Sequence, residues 1–265
     1  MKELSSYQTT PMYFADAAEE YLEFLKEKHP EHFMESVAQA TQRKITVASL
    51  DLVAAERPDV HVYSELLVQW RDAENEMRRV VPDNMVVVAE KKPKVSTNFA
   101  IPIQPARPFV VFEYVSKSNS RKDYQQSYDK YEAELKVPYY LLFYPDAQEL
   151  SLFKLNKRRG KYISVHPDDA GRYAIRELDL TIALVDEWAR YWWKGQLLPI
   201  PTELQAELVQ VRKENVTLHK VIGDQTRLLG DQTRLLGDQT RLIGDKDRRI
   251  ADMEAELERL RKSAG

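Results

Sequence analysis

VVPDNMVVVAE (residues 80–90) and PFVVFEYVSKSNSRKD (residues 108–123) decide the fold. Each is a short run of β-branched and aromatic residues bounded by turn formers, the pattern of a strand. Each also carries an acid, Asp83 at the opening of the first and Glu113 inside the second. Two neighbouring strands of one sheet would bring both carboxylates to a common edge. An unpaired buried carboxylate costs roughly several kcal/mol, so it calls for a proton, a cation or hydrogen bonds in compensation. A divalent metal shared by both acids is one reading. A Glu113 facing solvent from a half-buried strand is the other, and the alternation in FVVFEYV leaves both open.

Working outward, further strand patterns lie at 60–70, 139–144 and 150–155. Between the third and fourth of the five runs, residues 123–135 place Tyr124, Tyr128, Tyr131 and Leu135 at helical spacing, and Val137-Pro138 closes the segment. A strand–helix–strand crossover makes its two strands parallel, whereas the shorter connections allow antiparallel pairing. The class expected is α/β, a mixed central β-sheet flanked by helices. Upstream, 14–29 read as a helix with Phe14, Ala18, Tyr21 and Leu25 on one face and Pro30 ending it. Residues 31–56 read as helical with a break near 43–46. Downstream, Leu184, Val185, Trp188, Tyr191 and Trp192 predict a helix over 181–194, and LLPIPT (197–202) a stiff linker. The expected organisation is therefore accessory helices over 1–40, the α/β domain over 41–196, the linker, and a coiled coil over 203–262.

The coiled coil follows from a seven-residue repeat: GDQTRLL begins at Gly223 and Gly230, GDQTRLI at Gly237, and GDKDRRI at Gly244. One core position carries Leu208, Asn215, Ile222, Leu229, Leu236, Ile243, Ile250 and Leu257. The other carries leucine or valine at its start and Met253 and Leu260 at its end, with Gln225, Gln232, Gln239 and Lys246 between. Each glycine costs a helix about 0.5–1 kcal/mol, so the middle is the weak part. A core asparagine such as Asn215 favours a parallel dimer. A homo-oligomer, dimeric through this tail, is the expectation, against a solitary and partly frayed helix.

With 265 residues and 43% hydrophobic content, the chain has enough apolar material for one substantial core and an extension. It has no cysteine, which excludes disulfides, thiolate metal sites and cysteine nucleophiles, and its five histidines lack ligand spacing. Any metal must be held by oxygen. A net charge of −3 excludes a generically basic nucleic-acid coat, although KKPK (91–94) and KRRGK (157–161) are local basic clusters. No apolar run reaches the roughly 20 residues of a membrane span, so no membrane partner and a cytoplasmic setting are expected.

VVPDNMVVV, then FVVFEYVSKSNSRKD, then a helix containing Lys130-Tyr131, then VPYYLLFYPD resembles the Uma2 (DUF820) family, a branch of the PD-(D/E)XK endonuclease-like superfamily. The resemblance covers roughly 41–184. It implies a restriction endonuclease-like fold, with Asp83 and Glu113 binding Mg²⁺ (or Mn²⁺) and a phosphodiester of DNA as substrate. It also implies a lysine two residues after the strand acid or four residues after the aspartate matching Asp123. Here those positions are Val115 and Ser127, which leaves Lys117 and Lys130 as the lysine candidates. Glu35 or Glu56 would be the upstream acid of such a site.

A hard cation with oxygen ligands keeps several waters and can acidify one of them into a nucleophile, so the residue types suit hydrolysis. The expected function is a Mg²⁺-dependent DNA endonuclease. The alternative, motivated by Val115 and Ser127, is a catalytically weakened nuclease fold that binds nucleic acid or protein as an oligomeric module.

Overall fold

The computed structural model describes residues 11–28, 36–115, 125 and 127–263. The chain divides into two compact units between Pro201 and Thr202. Chain order runs α1 (Pro11–Lys28), α2 (Val37–Glu56), β1 (Val60–Ser64), β2 (Leu67–Arg71), β3 (Met77–Val80), β4 (Asn84–Val88), β5 (Asn98–Ala100) and β6 (Pro108–Tyr114). A π-helix (Lys130–Leu135) leads to β7 (Tyr139–Tyr144), β8 (Glu149–Asn156), β9 (Lys161–Ser164), β10 (Tyr173–Ile175), β11 (Leu180–Val185), β12 (Trp188–Trp193), β13 (Gln196–Leu197) and α3 (Pro201–Ser263).

The central sheet has the order β1-β4-β6-β7-β8-β9. Its single parallel pair is β6 with β7, the two strands joined by the crossover that contains the π-helix, while its other neighbours are antiparallel. The mixed sheet expected from sequence is therefore present. Two smaller sheets accompany it, β3-β2-β5 and β10-β11-β12-β13.

Alternation along β6 explains why its run is apolar on both sides. Val110, Phe112 and Tyr114 enter one core with Tyr139, Leu141 and Phe143 of β7, Leu50 and Val53 of α2, and Tyr191 of β12. Val111 and the following Val115 enter a second core with Tyr131 and Leu135 of the π-helix and Tyr140 of β7. A strand covered on both faces has no solvated side to keep polar. Each large side chain withdrawn from water in this way stabilises the fold by about 1.5–3 kcal/mol.

Four expectations need correction. Residues 181–194 form the β11–β12 hairpin rather than a helix, paired from Leu180↔Trp193 to Val185↔Trp188. Its turn residues Asp186 and Glu187 both have positive φ, 49° and 70°, the conformation that matches a two-residue turn to strand twist. The helix expected to break near 43–46 is continuous, because its polar middle finds partners: Gln42 Nε2 donates to Ala189 O at 3.0 Å and Gln42 Oε1 accepts from the Ala189 N–H at 2.9 Å. The 60–70 run is two strands, β1 and β2, broken at Glu65 with φ 49°. The linker is shorter than 197–202, since Leu197 ends β13 and Pro201 opens α3, a helix start that proline tolerates well.

α1 buries Phe14 and Ala18, and Asn98 Nδ2 of β5 donates to Phe14 O at 2.8 Å. α3 is 63 residues long, about 95 Å at 1.5 Å per residue. Its heptad residues are bare: Leu208, Leu229, Leu236 and Ile243 are 50–66% exposed. Among the described residues no helix is long and apolar enough to cross a membrane.

Candidate functional site

Asn84 of β4 pairs with Phe112 of β6 in antiparallel register. One step further along, Asp83 comes opposite Glu113, as the sequence suggested for two neighbouring strands. The two acids are near enough for each to shift the titration of the other. An ion shared by both would draw one oxygen of each to about 2.1 Å.

Glu113 is 8% exposed and belongs to the face of β6 that packs toward the π-helix, so the solvated-face reading fails. The Tyr131 hydroxyl donates to Glu113 Oε1 at 2.6 Å. Asp83 is held from two sides: the Tyr114 N–H donates to Oδ2 at 2.6 Å and Arg43 Nη2 donates to Oδ1 at 3.0 Å. Arg43 reaches out from α2, and its other nitrogen, Nη1, meets Glu65 Oε1 at 2.9 Å.

Burial, then the adjacent Asp83 charge, pushes the Glu113 carboxyl well above its usual range. Burial also raises Asp83, while the Tyr114 N–H and Arg43 oppose that rise. Two acids share a dry site with one arginine, so a proton or a cation between them would relieve their repulsion. The donors are oxygens alone, which suits a hard divalent ion. Among the described residues no group of three or more His, Cys, Asp or Glu is arranged to hold a metal. An ion at the pair would therefore complete its shell with water and substrate.

A buried hydrogen-bond chain fixes the backbone beneath the site. Tyr114 Oη lies 2.6 Å from Thr46 Oγ1 and 2.7 Å from Asn84 Oδ1. The amide oxygen only accepts, so the single phenolic proton goes to Asn84 and the phenol accepts from Thr46. Thr46 in turn meets the Tyr191 hydroxyl at 2.7 Å. Beyond Asn84, Nδ2 donates to Ser64 Oγ at 3.0 Å, and Ser64 donates to the Asp83 carbonyl at 3.3 Å. The chain runs from β12 through α2, β6, β4 and β1 to Asp83.

Of the two candidate lysines, Lys130 is described and is engaged with a backbone carbonyl. Lys130 Nζ donates to Arg79 O at 3.0 Å, burial lowers its pKa, and its charged neighbours are Glu134 and Arg78. Lys117, like Glu35 and Asp123, lies outside the described residues. Val115 is buried among apolar neighbours, and Glu56 ends α2 facing Lys194 at 3.8 Å. Sequence reasoning missed Arg43 and Tyr131 as site residues. A signal for α2 existed: Gln39, Gln42, Thr46 and Ser49 form a polar stripe at helical spacing on a buried face.

The Uma2 family model, described as "Putative restriction endonuclease", matches residues 30–185. Among solved structures, the crystal structure of "a putative nuclease belonging to DUF820" from Anabaena variabilis is similar at 14% identity, covering 55% of this chain and 75% of that one with a TM-score of 0.42. No curated protein matches. With more than half of its residues inside the family model, the chain belongs to the Uma2 family.

Proposed function

We propose that this chain is a divalent-metal-dependent endonuclease that hydrolyses phosphodiester bonds of DNA, acting in the cytoplasm with Mg²⁺ or Mn²⁺ held by Asp83 and Glu113. The observation that carries the reading is the facing pair itself: two carboxylates brought together by strand register, in a site dry enough to raise both pKa values. A structural role alone gives no reason to bury two like charges side by side.

A bound divalent ion would polarise the phosphate and acidify a water for attack on phosphorus. The residues of the chain divide the remaining work. Asp83 is fixed by the Tyr114 N–H and Glu113 by the Tyr131 hydroxyl, so neither acid has to reorganise when an ion arrives. A bound cation would favour the ionised form of Glu113 against the burial that raises its pKa. Hydrolysis forms a bond from water oxygen to phosphorus and breaks the ester P–O bond. Lys117 and Lys130 are auxiliaries to phosphate binding in this reading, and Lys130 must leave the Arg79 carbonyl to act.

Purified protein is expected to nick supercoiled plasmid with Mg²⁺ or Mn²⁺, and Asp83→Ala to reduce that rate by about 1,000-fold. Intact plasmid at high protein concentration under both metals would overturn the reading.

A second reading is a weakened nuclease that binds without cutting, favoured by the buried Val115 and by the engagement of Lys130 with a backbone carbonyl. Its signature is DNA affinity that falls steeply with salt while the DNA stays intact. In either reading we assign the exposed seam of α3 to a parallel coiled-coil dimer, for which light scattering should give twice the chain mass.

A further inference from the structure

Uma2 resemblance calls for a positive charge near the two acids, and the chain carries Val115 and Ser127 where a lysine is expected. Arg43 brings one from a different element. It sits on α2, its side chain is 13% exposed, and its two terminal nitrogens span Asp83 at 3.0 Å and Glu65 at 2.9 Å. The two anchors differ in depth, because the Asp83 side chain is 21% exposed and that of Glu65 is 61% exposed. The guanidinium therefore stands at the mouth of the site, one nitrogen on the acid pair and the other on its rim.

Glu65 is itself placed with care. It adopts a left-handed φ of 49°, uncommon for a residue with a side chain, and its N–H donates to the Asp83 carbonyl at 3.2 Å. The same short break between β1 and β2 thus ties the backbone of Asp83 and presents the second anchor for Arg43.

We propose that Arg43 is the phosphate-binding cation of the site, held on Asp83 in the metal-free protein and released from it to the non-bridging oxygens of the substrate phosphate when a divalent ion occupies the pair. The proposal rests on the phosphodiester-cleaving reading. Charge balance supports the exchange. In the metal-free protein the Arg43 guanidinium is shared between Asp83 at 3.0 Å and Glu65 at 2.9 Å. With a divalent ion, its two charges match the carboxylates by themselves, and the guanidinium and the ion would repel each other across Asp83 Oδ1. The Asp83 contact is then the one that weakens, and a phosphodiester, itself singly charged, can take the place of that carboxylate on the guanidinium. A planar guanidinium is also suited to grip two phosphate oxygens at once, in the fork geometry with which it now spans two carboxylates. Glu65 offers it an exposed resting contact between the two states.

The test uses the full chain, Mn²⁺ binding by calorimetry and cleavage of supercoiled plasmid, on wild type, Arg43→Gln and Arg43→Lys. Glutamine removes the charge but keeps a hydrogen-bond donor, and a thermal melt of each variant checks that the fold is kept. Arg43→Gln is expected to bind Mn²⁺ about tenfold more tightly, because the competing cation is gone, yet to cleave about 100-fold more slowly. Arg43→Lys keeps the charge without the fork and should cleave at a rate between the two while binding Mn²⁺ as wild type does. A purely structural arginine would weaken metal binding and cleavage together, and that result overturns the proposal. Cleavage by Arg43→Gln within about threefold of wild type overturns it as well, while leaving the nuclease reading intact. If wild type binds Mn²⁺ but cuts no plasmid, the nuclease reading fails and takes this proposal with it.

Discussion

The body of the chain and its long terminal helix treat apolar side chains in opposite ways. In the body, Phe112, Tyr114, Tyr140 and Phe143 are fully enclosed, and Gln39 and Thr46 of α2 find specific partners on β6 and β12. In α3, leucines recur every seven residues and remain more than half exposed. Neighbours specify nearly every side chain of the body, whereas the helix is specified by its own repeat. The body can therefore hold a charged site under tension. The helix can offer a surface but no enclosed chemistry.

The difference can be tested by making paired substitutions. The largest effect expected is for Phe112→Ala, which leaves a hole between α2 and the central sheet and should cost about 3–5 kcal/mol. At about 2–4 °C per kcal/mol for a domain of this size, the main melting transition falls by roughly 10 °C. Leu236→Ala on α3 should leave that transition within about 1 °C, and equal shifts would erase the contrast.

Two threonines give the next pair. Thr46→Val interrupts the chain linking Tyr191, Tyr114 and Asn84, and should cost about 1–3 kcal/mol in chemical denaturation. Thr233 only bonds the carbonyl four residues back in its own helix, at 2.8 Å, and Thr233→Val should change stability by less than about 0.5 kcal/mol.

Glu113→Gln probes the tension of the acid pair in metal-free protein. Because the folded pKa of Glu113 is raised, its contribution to stability is full below the ordinary glutamate range and is lost as pH rises through the folded value. Glutamine accepts from Tyr131 without that loss. The variant should melt above wild type at pH 8, with the gap closing toward pH 4, and a gap that instead widens on acidification would contradict a raised pKa.

The smallest effects concern glycine. An added Cβ at Gly230 meets nothing within 4 Å, so Gly230→Ala should stabilise α3 by about 0.5–1 kcal/mol, read as helical ellipticity on heating. At Gly160, with φ +63°, the same change should destabilise the β8–β9 turn by about 1 kcal/mol even though the space is equally open.

The acid pair was legible in sequence because a carboxylate in an apolar strand is conspicuous, and because strand adjacency turns a separation of thirty residues into a contact. The β6–helix–β7 crossover was legible for a similar reason, as its strand runs and tyrosine spacing had few rivals. Arg43 was not. On a helix whose buried face carries glutamine and threonine, an arginine reads as a break until the strands that receive these side chains are known. The β11–β12 hairpin was hidden by composition: Trp188, Tyr191 and Trp192 satisfy helical spacing as well as strand pairing, and its turn uses Asp186-Glu187 without a glycine to mark it. Where the long Lys130 side chain points was not legible either, because it depends on β3 and the Arg79 carbonyl.

The near-identical heptads of α3 have a consequence for how this chain can change length. Adding or removing one GDQTRLL unit alters the helix by about 10.5 Å but turns its far end by only about 20°. A recombination slip between Gly223 and Gly230 therefore keeps the leucine stripe in phase while changing its reach, as marks on a ruler can be added without redrawing the scale. Descendants of this chain should differ in α3 by whole multiples of seven residues, and an insertion of any other size should interrupt the stripe.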